Sequence, residues 1–131
     1  MPGAVIVSAL RTPIGTAMKG TLRDTDAYQL GEYAVARAVA DLDPGAIDDV
    51  SVGETRYCGG GARHAAITAG LTSVPGLAQN RHCAAGQAAV QSAAASIRAG
   101  MDQLVIAGGV NSATVIEVDG AASAAILGTA P

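Results

Sequence analysis

Residues 84–99 run AAGQAAVQSAAASIRA, a helix-length stretch that Gly100 stops. Ala84, Ala85, Ala88, Ala89, Val90, Ala93, Ala94, Ala95 and Ile97 put apolar atoms around most of its circumference. Its polar positions are mainly small or uncharged: Gln87, Gln91, Ser92 and Ser96. A helix apolar nearly all round is covered on more than one side, so the chain must build layers around it. The remaining composition suits thin, close layers. Half of the 131 residues are hydrophobic, yet there is no Phe, no Trp and only three Tyr, with 17 Gly to permit close backbone approach. A chain of this length forms one domain and buries roughly two-thirds of the surface its unfolded state exposes.

Strand and helix patterns alternate along the chain. Residues 4–10 (AVIVSAL) are a β-branched apolar run, which predicts a strand buried on both faces of a parallel sheet. Ala27, Leu30, Ala34, Val35, Ala38, Val39 and Leu42 recur at helical spacing, predicting an amphipathic helix over 26–41, which Asp43-Pro44-Gly45 breaks. Asp24, Thr25 and Asp26 are its candidate N-caps. A second strand is predicted over 49–57, a short helix over 62–69, a weak strand over 76–79 and a buried strand over 103–107. Residues 121–127 (AASAAIL) fit a last strand or a short helix. This order indicates an α/β fold with a mostly parallel sheet, and no repeat or linker divides it.

Charge and termini narrow the function classes. The net charge is −3 with no basic run, which argues against nucleic acid as a partner. No signal peptide and no membrane-spanning run are recognised, so a cytoplasmic protein is expected. Two cysteines, Cys58 and Cys83, are too few for a disulfide scaffold.

The chemistry concentrates at Asn80-Arg81-His82-Cys83-Ala84-Ala85-Gly86, where a strand ends and the apolar helix begins. A cysteine there meets the positive end of the helix dipole. Free N–H groups can stabilise its thiolate and the oxyanion formed when it attacks a carbonyl. Gly86 removes a side chain one turn in. A buried, inert cysteine is the alternative reading of Cys83, and a redox-sensing thiol is another. His64 and His82 are the only histidines and the candidate bases, with surface or hydrogen-bonding roles as the competing reading. Cys58, His64, His82 and Cys83 give a two-Cys, two-His count, but their spacing matches no common zinc site, so no metal is expected. Cys58-Gly59-Gly60-Gly61 is read as a plain turn into a helix. It lacks the Gly-Lys-Ser/Thr that a phosphate loop requires.

The stretch from Asn80 to Gly86, continued by Gln87-Ala88-Ala89-Val90-Gln91, resembles the acyl-enzyme signature of thiolases. Three further stretches match in order: Val5 to Gly15 with its Arg-Thr-Pro turn, Ala62-Arg63-His64-Ala65-Ala66, and Ala99 to Gly109 with its Ala-Gly-Gly. The resemblance implies one half of a thiolase-type fold, a mixed and mostly parallel sheet with helices on both faces. It implies Cys83 as the acylated nucleophile and a coenzyme A thioester as substrate, with no permanently bound cofactor. The reaction would be 3-oxoacyl-CoA thiolysis or acyl-CoA condensation.

The departures are equally informative. Ala85 stands where the family usually has Ser, and Val110-Asn111-Ser112-Ala113 where it has an acidic residue, then Ser or Asn and Met. The family's Gly-His-Pro histidine, Asn-Glu-Ala-Phe segment and Cys-x-Gly-Gly-Gly cysteine do not occur. Asp119 to Leu127 resembles the strand that closes the first half, so the loop domain is expected to be missing after about residue 113, and the C-terminal half as well. A homodimer or a complex with a complementary half is therefore expected, the alternative to an enzyme being a non-catalytic thiolase half that works by association.

Overall fold

The structure is a computed structural model that describes residues 3–55 and 60–114. Helix α1 spans Ala27–Val39. Asp26 caps it through a reciprocal pair: its carboxylate accepts the Gln29 N–H at 2.8 Å, and the Gln29 side-chain oxygen accepts the Asp26 N–H at 3.1 Å. Such a cap is worth about 1 kcal/mol. Ala27, Gly31, Val35 and Val39, spaced four apart, are its buried stripe. A short 3-10 turn at Pro44–Ala46 leads into strand β1, Asp49–Glu54.

Helix α2, Gly61–Thr68, follows β1 and ends at Gly70, whose φ of +89° suits glycine. Strand β2 is Gly76–Gln79, helix α3 is Ala85–Ala99 and strand β3 is Val105–Val110. The three strands form one sheet in the order β2-β1-β3, all parallel. Val50 pairs with Gly76 on one side and Ile106 on the other. At the start of the sheet the Asp48 carboxylate accepts the N–H groups of Gln103 at 2.6 Å and Leu104 at 3.1 Å, which fixes the β1–β3 register. The same two bonds hold its pKa below the ordinary carboxylate value, while burial pushes neighbouring Asp49 up.

The alternation of β1 side chains sorts the layers. Val50 and Val52 join Val35, Val39, Ala62, Ala65, Ala66 and Leu71 in the apolar core beneath α1 and α2. Ser51 and Gly53 face α3 instead, where Ser51 and Ser92 both bond the Gln79 side chain, at 2.9 and 3.1 Å. Helices thus cover both faces, as the sequence predicts. Helix α3 buries Ala85, Ala88, Ala89 and Ala93 against the sheet. Gln87, Val90, Gln91, Ala95 and Arg98 on its far side are exposed.

The expected strand over 4–10 is not formed. Val5, Ile6 and Val7 are 76, 77 and 73% exposed, and the segment makes no backbone ladder among the described residues. β-Branched composition sets a preference for extended backbone, but a strand exists only where a partner supplies hydrogen bonds. The predicted strand over 103–107 is shifted to 105–110, because Gln103 and Leu104 donate to Asp48. The reading of 121–127 lies outside the described residues.

Candidate active site

The site lies where the parallel strands run out, the edge at which open α/β sheets gather ligands. Each strand is followed by a polar residue: Thr55 after β1, Asn80 after β2 and Asn111 after β3. These three meet. The Thr55 hydroxyl donates to Asn111 Oδ1 at 2.9 Å, and Asn80 Nδ2 donates to the Thr55 carbonyl at 3.4 Å.

Asn80 uses its other end on the loop that carries the cysteine. Its Oδ1 accepts the His82 N–H at 2.9 Å, and His82 holds φ at +49°. Bonds from Ala84 N–H to Arg81 O (3.1 Å) and from Ala85 N–H to His82 O (3.0 Å) close the turn. Helix α3 then starts with Ala84 at its cap position and no side chain capping it. The first-turn N–H groups of Gly86 and Gln87 take no acceptor among the described residues. Cys83 is an exposed free thiol immediately before this open helix end.

Three glycines bring that helix end down onto the sheet. A Cβ on Gly53 of β1 would fall 2.1 Å from the Ala85 carbonyl carbon. One on Gly109 of β3 would fall 2.7 Å from Gly86 Cα. A cleft of about 450 Å³ opens beside the loop, lined by Gln79, Asn80, Arg81, Ala88, Gln91 and Ser92 among others.

Arg63 on α2 holds the approach to β2. Its guanidinium donates to the carbonyls of Val74 at 2.7 Å, Thr72 at 2.9 Å and Leu71 at 3.4 Å. Glu54, at the end of β1, is 2% exposed. Its Oε1 accepts the Ala62 N–H at 2.9 Å, and its Oε2 has no partner among the described residues.

The sequence candidates are not all brought together. Cys83 stands where the sequence predicts, at the helix start. His82 is exposed, and its backbone rather than its ring is engaged. His64 is exposed on α2, its ring edge-to-face with Tyr28 at 5.2 Å, on the sheet face opposite α3. No hydrogen bond or ion pair reaches the Cys83 thiol among the described residues. Cys58 lies outside the described residues, and among those described no three potential ligands cluster as a metal site. Thr55 and Asn111 have no site role in the sequence reading, which names Asn111 only as a departure from the family pattern. Their only signal is their place just past an apolar strand.

A family model described as "Thiolase, N-terminal domain" matches residues 4–126. The chain belongs to the thiolase family. A probable acetyl-CoA acetyltransferase of Mycobacterium leprae is 40% identical over 120 residues, covering 87% of this chain and 30% of the relative. The acetyl-CoA acetyltransferase of Pseudomonas aeruginosa is 37% identical over 115 residues, 83% of this chain and 29% of that protein. Among solved structures, the acetyl-CoA acetyltransferase of Bacillus anthracis superposes with a TM-score of 0.76 at 33% identity over 82% of this chain and 28% of its own. The Acat5 thiolase of Ascaris suum, solved with coenzyme A, gives 0.75 at 27% identity over 81% and 29%. This thiolase chain spans about 30% of the length of the curated relatives it matches. Among the described residues no helix is long and apolar enough to cross a membrane.

Proposed function

We propose that this chain carries the acyl-accepting half of a thiolase site, with Cys83 as nucleophile and a coenzyme A thioester as acyl donor. The observation that carries the reading is the exposed Cys83 thiol before the uncapped start of α3, at the carboxyl edge of a parallel sheet. The Cys83 sulfur attacks the thioester carbonyl, forming a new carbon–sulfur bond. The bond to the coenzyme A sulfur breaks, and the cysteine proton ends on the departing thiol. First-turn N–H groups are suited to the oxyanion formed on the way. The resulting thioester serves either 3-oxoacyl-CoA thiolysis or acyl-CoA condensation.

A base is still required, since neither histidine engages the thiol. We infer that the base and the second cysteine come from outside these 131 residues, through a complementary half, and that the chain acts in the cytoplasm as part of such a complex or a homodimer. The order of motifs supports loss of the loop domain after about residue 113. The test is incubation with acetyl-CoA or acetoacetyl-CoA followed by peptide mass spectrometry. An acyl adduct at Cys83 is expected. No adduct, and no thiolysis with any added partner, removes the reading.

The alternative is a non-catalytic half that works by association. The exposed far side of α3, with Val90 and Ala95, favours it. A monodisperse monomer at micromolar concentration in light scattering would count against association in either form.

A further inference from the structure

We infer that Asn80 is a positioning residue, which aims Cys83 by holding His82 in the left-handed conformation. The inference deepens the acyl-transfer reading and rests on it for its functional meaning. Left-handed backbone is unfavourable for a residue with a Cβ; histidine enters it more often than most residues but still carries a cost there that glycine does not. Something must hold His82 at φ +49°, and it is the neighbour to Cys83. The bond that meets this need is Asn80 Oδ1 accepting the His82 N–H at 2.9 Å. It closes a two-residue side-chain turn of the kind asparagine forms.

Asn80 is itself tied to the sheet. Its Nδ2 donates to the Thr55 carbonyl, and the Thr55 hydroxyl donates to Asn111. One residue from the end of each strand therefore joins a single brace behind the nucleophile loop. The brace ends on a backbone N–H, not on the thiol. Asn80 acts through the loop, so its effect must depend on the residue it constrains.

That dependence supplies the test. Alkylation of Cys83 by iodoacetamide is followed by peptide mass spectrometry, with the Cys58 peptide as internal reference. Asn80→Ala is expected to slow Cys83 relative to Cys58 by about fivefold, the scale of the left-handed penalty that the bond offsets. Asn80→Ser, which keeps a side-chain acceptor, is expected to recover most of the rate. In a His82→Gly background, where left-handed backbone carries no penalty, Asn80→Ala should cost less than about twofold.

An equal loss in both backgrounds would assign Asn80 to general stability and overturn the inference. So would an unchanged or faster Cys83 rate in Asn80→Ala. If Asn80→Ala fails to fold, Asn80→Ser and the His82→Gly pair still decide, because a residue acting through His82 must be more tolerant of loss in that background. The measurement uses no coenzyme A, so its failure is distinct from failure of the acyl-transfer reading.

Discussion

Gly86 and Gly109 touch backbone to backbone: a methyl group on Gly109 would lie 2.7 Å from Gly86 Cα, well inside van der Waals contact. Gly53 adds a second such contact, against Ala85 and Gly86. The start of α3 therefore sits on the sheet with no side chain between. The height of Cys83 above the strand ends follows from backbone thickness alone.

This predicts a sharp contrast between adjacent glycines. Gly109→Ala should destabilise the fold by about 1–3 kcal/mol through overpacking, and Gly53→Ala by at least as much, because its backbone obstacles lie closer, at 2.1 to 2.3 Å. Gly108→Ala meets nothing within 4 Å and should be near neutral. Urea unfolding of the three variants checks the order.

Arg63 spans the carbonyls of Leu71, Thr72 and Val74 with one planar group. Arg63→Ala should cost about 2–3 kcal/mol by removing charge-assisted bonds and leaving partly buried acceptors unmet. Arg63→Lys should restore only part of that, since an ammonium cannot reproduce the fork. Thermal melts of both variants beside the parent test the claim.

The two aspartates that open β1 make opposite contributions to acid stability. Asp48 has a lowered folded pKa, so its contribution is present above its ordinary value near pH 4 and is lost as pH falls through the lower folded value. Asp49 has a raised folded pKa, because burial disfavours its charge. Its protonated form is favoured by folding, so it adds stability at low pH that disappears as pH rises through that raised value. Asp48→Asn should flatten the acid limb of the stability curve, and Asp49→Asn should steepen it. Denaturant titrations from neutral pH down past pH 4 distinguish them by sign.

Cys83→Ala should abolish acyl labelling by acetyl-CoA while changing stability by no more than about 0.5 kcal/mol, because the thiol is exposed and makes no bond among the described residues. Mass spectrometry and a urea curve on the same variant separate the two effects.

Local pattern made much of this legible. The stripe Ala27, Gly31, Val35, Val39 and the Asp26 cap are written within one segment, so periodicity finds α1 to within two residues at each end. Cys83 was legible because a strand run, a cysteine and a helix run are contiguous. Residues 4–10 were misread because strand formation depends on a partner elsewhere in the chain. The brace of Thr55, Asn80 and Asn111 was invisible for a related reason. Its members are 25 to 56 positions apart along the chain and carry no periodicity, and only the parallel register brings them together. The expectation that α3 would need cover on more than one side met a structure in which one side is open. Gln87, Gln91 and Arg98 on that side keep it solvated.

The Asp48 bonds to Gln103 and Leu104 sit at the opposite end of the sheet from Cys83. They set the β1–β3 alignment with this chain's own side chains. Whatever molecule docks at the far edge therefore meets strand ends already in line. Its association would cost rigid-body freedom without the added cost of ordering a sheet, and its rate should reflect diffusion and orientation more than folding.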